Sequence, residues 1–247
     1  MRAREGAPVL QRKSPWRCYP REGVRAAADM NDGSPDDAPL RRVVLVHGLW
    51  MVGAAMHWFA AQLRTQGFET EAFGYHSILG GPDAVVDSLA GRLGEGGPAH
   101  VVAHSLGGLV ALEALSRHPG LEVDRVVGLG VPLCGSGAAQ SLARWPVVPL
   151  WLGRSAGLLR RGCAHWPDGV AVGMVAGRIP HGLGALFARF DGAHDGTVAV
   201  AETRHPGLAD HVVVDASHSG LIFSRAAVAE TAAFLRDGRF RRREGGE

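Results

Sequence analysis

Apolar and polar positions change rhythm several times along this chain. Residues 1–40 mix Arg, Pro, Asp and Gly with no sustained period, which predicts a flexible lead-in. From Arg42 the character changes. Val43-Val44-Leu45-Val46 is a short continuous apolar run, the pattern of a strand buried on both faces. Met56 to Gln66 carries apolar residues at helical spacing, and Glu69 to Tyr75 reads as a second strand. Pro82 to Leu93 predicts a helix with proline at its start and Asp83 in its first turn. His100 to Ala103 is a third strand, and Leu106 to Arg117 a helix closed by His118-Pro119-Gly120. Val123 to Leu129, Val170 to Ala176 and His211 to Val214 supply three further strands, and Ala226 to Leu235 a final helix.

Strands alternating with helices predict an α/β domain over residues 41–240, its sheet mostly parallel and covered on both faces. The alternation breaks between Cys134 and Pro167. Two helix-like pieces, Ala138 to Leu142 and Trp151 to Leu159, are separated there by Pro146 and Pro149, and Trp145, Trp151 and Trp166 sit among them. An apolar excursion of this kind lies where a short helical cap or lid would. Extra helices packed on the sheet are the alternative. Residues 241–247, with Arg241-Arg242-Arg243, read as a flexible, solvated tail.

Composition narrows the class. The chain has 247 residues, 46% of them hydrophobic, and a formal net charge of +2. That is enough apolar content for a full core, and the small net charge does not suggest a dedicated nucleic-acid binder, which needs a concentrated basic face. Glycine, at 35 of 247 residues, is about twice its usual share and clusters between apolar runs, as turns in a sheet protein require. The three cysteines, Cys18, Cys134 and Cys163, include no C-x-x-C pair, which speaks against a disulfide framework or a cysteine zinc site. No early segment resembles a secretory signal, so a cytoplasmic location is expected. Residues 43–63 lack Asp, Glu, Lys and Arg, but the stretch contains Gly48, Gly53, His47, His57 and Gln62; it divides into a strand and a helix and is no membrane span. Translation could begin at Met1 or at Met30, and oligomeric state is left open.

Val101-Val102-Ala103-His104-Ser105-Leu106-Gly107-Gly108 carries the chemistry. It reads strand, sharp turn, helix. Such an elbow lifts a serine hydroxyl out of the sheet, and it needs small residues two before and two after the serine. Ala103 and Gly107 occupy those positions, so the motif is A-x-S-x-G rather than G-x-S-x-G. A nucleophilic serine needs a base, and the base an orienting acid, in chain order Ser, Asp or Glu, His. His218 follows the last strand directly, at the carboxyl edge where ligands gather in open α/β sheets. His211 starts that strand, at the wrong end, and His118 reads as a helix-end residue. For the acid, Asp195 opens an Asp-Gly-Thr-Val turn with its carboxylate expected to be exposed at the start. Asp191 is the competitor, and Asp215 reads as a strand-end residue. Two backbone N–H donors complete an oxyanion hole: Leu106, after the nucleophile, and Leu49, in the His47-Gly48-Leu49-Trp50 loop after the first strand. His47 is expected to orient that loop, and His104 to face away from the hydroxyl. There is no H-E-x-x-H, no phosphate-binding loop and no dinucleotide fingerprint, so neither metal nor nucleotide cofactor is expected.

These motifs resemble the α/β-hydrolase superfamily, and in particular its bacterial lipase and esterase-like branch. The resemblance runs from about Arg42 to Phe240 and is carried by Val-Leu-Val-His47-Gly48, Ala-His-Ser105-Leu-Gly-Gly108, Asp195-Gly-Thr-Val and Ser-His218-Ser-Gly. Val131-Pro132-Leu-Cys-Gly135-Ser136 is similar to the Thr-Pro-His-x-Gly-Ser stretch of such lipases, with Val131 and Leu133 in place of the Thr and His. The resemblance implies Ser105, Asp195 and His218 as nucleophile, acid and base, and no cofactor. It implies cleavage of small carboxylic esters, with an apolar acyl group favoured by the tryptophan-bearing excursion. An acyltransferase using the same acyl-enzyme, or a catalytically silent member that binds an acyl ligand or a partner, are the competing expectations.

Overall fold

The computed structural model describes residues 40–49, 53–75, 81–135, 156–181, 190 and 192–241. Six strands form one sheet: β1 (Arg42–Val46), β2 (Glu69–Phe73), β3 (Ala99–His104), β4 (Val123–Leu129), β5 (Ala171–Gly177) and β6 (Asp210–Val214). Their spatial order is β2-β1-β3-β4-β5-β6, and every neighbouring pair is parallel. Among the described residues five α-helices accompany them: α1 (His57–Thr65), α2 (Pro82–Glu95), α3 (Leu106–Arg117), α4 (Ala156–Arg161) and α5 (Arg225–Asp237). The expected α/β class and mostly parallel sheet are therefore present. Among the described residues no helix is long and apolar enough to cross a membrane.

Strand alternation sorts the apolar runs into two cores, because successive side chains point to opposite faces. Val44 and Val46 of β1 join Val101, Ala103, Val126 and Met174 under α2 and α3, with Leu158 and Leu159 of α4 in the same layer. Val43 and Leu45 join Val102, Val127, Val175 and Val214 under α1 and α5. A central strand buried on both faces has no polar position to offer, hence the unbroken Val-Val-Leu-Val run. α5 is delimited by its own caps: the Ser224 hydroxyl accepts the Ala227 N–H, and Gly238 adopts the left-handed conformation at the other end.

The chain runs from β1 outward to β2, then returns to the far side of β1 to lay down β3. Strand order reverses at that point. In an open parallel sheet the crevice outside the carboxyl ends at such a reversal is where ligands bind. The two loops that open there are the one after β1, with His47 and Gly48, and the one after β3, with Ser105. Of the 134–167 excursion, the described parts are its two flanks. Ala138 to Leu142, Trp145 and Trp151 lie outside the described residues. Trp166 stacks flat on His205, ring centroids 4.1 Å apart, in the segments that lead into β5 and β6.

Candidate active site

β3 ends at His104 and α3 begins at Leu106, leaving one residue for the turn. Ser105 makes it with φ 52° and ψ −123°, the one positive φ at a non-glycine position among the described residues. Such a conformation costs roughly 1–3 kcal/mol and persists only where surrounding contacts impose it. Here the Ser105 N–H donates to the Leu129 carbonyl at 2.9 Å, and the Ser105 carbonyl accepts the Gly108 N–H at 3.0 Å. Gly107 shows why the turn tolerates no bulk. A Cβ there would lie 2.4 Å from the His47 oxygen and 2.7 Å from the Val46 oxygen, so the start of α3 rests directly on the end of β1. The strand side is less demanding: Ala103 is fully buried in the core with its methyl accommodated.

His218 stands between Ser105 and Asp195. Its Nε2 is 3.0 Å from the Ser105 Oγ, and its Nδ1 is 2.7 Å from the Asp195 Oδ2. The other carboxylate oxygen accepts the N–H groups of Thr197 at 2.9 Å and Val198 at 2.7 Å. The backbones are joined too, the His218 N–H donating to the Asp195 carbonyl at 2.8 Å. A carboxylate only accepts, so Nδ1 of the ring donates to it, and Nε2 is left to accept from the serine hydroxyl. The turn at Asp195 is as expected, but its carboxylate is 1% exposed rather than open to solvent. Folding the turn over its own side chain to satisfy two backbone N–H groups carries the carboxylate inward, past the end of β5 toward Gly130 after β4.

The loop after β1 lies against the elbow. A Cβ on Gly48 would come within 3.1 Å of the Ser105 Cβ and 2.9 Å of the His104 Nδ1. His47 Nδ1 donates to the Gly48 carbonyl at 2.9 Å. C=O and N–H of a trans peptide point in opposite directions, so fixing that carbonyl aims the Leu49 N–H away from His47. Tyr75 buttresses the arrangement. Its hydroxyl donates to the His47 carbonyl at 2.8 Å, its N–H faces His47 Nε2 at 3.4 Å, and the two rings stack at 4.3 Å. Burial holds His47 below the usual histidine range, hence neutral. Leu106 opens α3, where N–H groups have no helical acceptor. The expected orienting role of His47 is thus visible as hydrogen bonds.

No family model matches the sequence, and no curated protein matches it. Solved structures do. The mature lipase BlEst2 of Bacillus licheniformis is 22% identical, over 82% of this chain and 95% of that one, with a TM-score of 0.65. The metagenomic carboxyl esterase MGS0156 is 20% identical over 78% of this chain and 70% of that one, at 0.58. An extracellular alpha/beta-hydrolase from a Paenibacillus species is 12% identical over 83% of this chain and all of that one, at 0.51. The chain has the α/β-hydrolase fold.

Within that fold the remaining candidates separate clearly. His211 lies at the start of β6, bonded to Thr203 at 2.8 Å and pushed down to about 4 by burial. His118 caps the end of α3, and Asp215 pairs with Arg178. Asp191 lies outside the described residues. Among the described residues no three His, Cys, Asp or Glu side chains gather as a metal site would require. Sequence reasoning missed two contributors. Tyr75 carries no motif of its own. Gly130, with φ 58°, follows β4 where a Cβ would meet Asp195 Oδ2 at 3.1 Å and His218 Nδ1 at 3.2 Å. A glycine at a strand end was the available signal.

Proposed function

We propose that this α/β-hydrolase-fold protein is a serine esterase that cleaves carboxylic esters through a covalent acyl-enzyme. The observation that carries the reading is the buried relay from Ser105 through His218 to Asp195. Ser105 Oγ attacks the ester carbonyl as His218 Nε2 takes its proton, and the same proton passes to the departing alcohol. Asp195, held by the Thr197 and Val198 N–H groups, keeps the ring in the tautomer whose Nε2 accepts, and stabilises the imidazolium. The N–H groups of Leu106 and Leu49 hold the oxyanion that forms as the carbonyl becomes tetrahedral. Water then attacks the acyl-enzyme, giving its proton to His218, and Ser105 is restored as the acid leaves. The names of the lipase and carboxyl esterase neighbours agree with this chemistry. The substrates are small esters with an apolar acyl group.

Hydrolysis of p-nitrophenyl esters from acetate to long acyl chains, wild type beside Ser105→Ala, tests it. Loss of the nucleophile should lower kcat on the order of 10⁴–10⁶-fold, and the chain-length profile of the wild type should favour apolar acyl groups over the acetate. Equal activity in both proteins would overturn the mechanism.

A further inference from the structure

His104 sits at the end of β3, next to the proposed nucleophile, yet the relay does not include it. Its side chain is 2% exposed. The ring lies 4.8 Å from that of His218, and its Nε2 is 3.0 Å from the His218 carbonyl oxygen. A carbonyl only accepts, so Nε2 carries the proton and donates. Nδ1 then bears the lone pair. It finds no partner among the described residues and points at the Gly48 backbone. A cationic ring would need a second acceptor at that nitrogen. Burial and the adjacent His218 push the group down to about 3, so the ring stays neutral beside a base that becomes cationic during turnover.

The base is thereby gripped at both ends of its backbone. Its N–H is held by the Asp195 carbonyl at 2.8 Å, and its C=O by the imidazole of the residue before the nucleophile. One bond ties the acid's turn to the base, and the other ties the base to the elbow. We propose that His104 is a positioning residue, whose donation to the His218 carbonyl sets the base at its working distance from Ser105 while its ring wedges the Gly48 loop against the elbow. The inference rests on the esterase reading.

The test compares wild type with His104→Leu and His104→Gln. Leucine keeps apolar bulk without the donor. Glutamine places an amide N–H where imidazole Nε2 stood. A fluorophosphonate that labels serine counts competent sites in each preparation, so misfolded protein drops out of kcat. Per labelled site, His104→Leu should lose about 10- to 100-fold in kcat with KM within about twofold. His104→Gln should recover kcat to within about threefold of wild type. Should leucine not fold, His104→Asn, too short to reach the carbonyl, takes its place with the same expected loss. A purely structural histidine would lower melting temperature and site count without this split, and glutamine would not rescue kcat. Either wild-type kcat in the donorless variant, or equal loss in the leucine (or asparagine) and glutamine variants, overturns the role of His104 alone. A wild type that neither labels nor hydrolyses esters overturns the esterase reading and this inference with it.

Discussion

The two ends of the same six strands handle their charged groups differently. At the carboxyl end, His47, His104, Ser105, Asp195 and His218 are all buried and bonded to one another or to backbone. At the amino end, Arg42, Glu71 and Arg92 form a charge cluster that solvent reaches. Exposed pairs are worth little, about 0–1 kcal/mol, because water competes for each charge. A buried polar group left without its partner costs about 1–3 kcal/mol, so the geometry at the carboxyl end is held by necessity. The proposed chemistry occupies the end where the sheet cannot relax.

The contrast can be broken most severely at Asp195. In Asp195→Asn the side-chain oxygen stays with the Thr197 and Val198 N–H groups, which require an acceptor. The amide NH₂ then faces His218 Nδ1. The ring must switch its proton to Nε2, where it can no longer accept from Ser105. The expected loss in kcat on the p-nitrophenyl esters is about 10⁴-fold with the fold retained, checked by circular dichroism alongside kinetics. Activity within tenfold of wild type would remove Asp195 from the proposed relay.

A smaller effect sharpens the comparison through pH. In the unfolded chain His104 takes up a proton near 6.5, and in the folded protein only near 3. Between those values the unfolded state binds more protons, so stability rises with pH there and is lost as pH falls from 7. The slope from such a group is about 1 kcal/mol per pH unit. His211, held near 4 by its burial at the amino end, acts in the same direction. Urea midpoints at pH 7, 6 and 5 should fall steadily in wild type and less steeply in His104→Gln. Parallel curves would show that His104 does not resist protonation.

The smallest effect belongs to the exposed cluster. Arg92→Ala removes one partner of Glu71 while Arg42 keeps its own contact at 2.7 Å. Stability should change by about 0.5 kcal/mol or less, with ester hydrolysis untouched. A loss of 2 kcal/mol or more in chemical denaturation would erase the difference between the two ends.

Much of this architecture is legible along the chain. All six strands were readable along the chain, β2 the least apolar of them, and α1, α2, α3 and α5 as periodic stretches, since periodicity is local and burial on one or two faces leaves a local mark. The elbow was readable for the same reason: strand, small residue, serine, small residue and helix fit within a few positions. What local patterning could not supply was orientation. The Asp-Gly-Thr-Val turn was visible, but not the burial of its carboxylate. Nor did any motif mark Tyr75 as the support of the loop after β1, because its partner His47 is 28 residues away.

By itself, the sequence determined the layered α/β fold and the residue types available to a nucleophilic site, because both follow from spacing along one stretch of chain. Tertiary structure decided which groups meet. Asp195 reaches His218 because Gly177 at the end of β5 has no side chain to stand in its way: a Cβ there would lie 2.9 Å from the Cβ of Asp195. His104 reaches the His218 carbonyl across 114 positions because the segment after β6 turns back over the carboxyl ends of the strands, passing Gly130 at the end of β4. Contacts of that kind are products of sheet order and close approach, and physical distance between strand ends is not written in the spacing of residues along them.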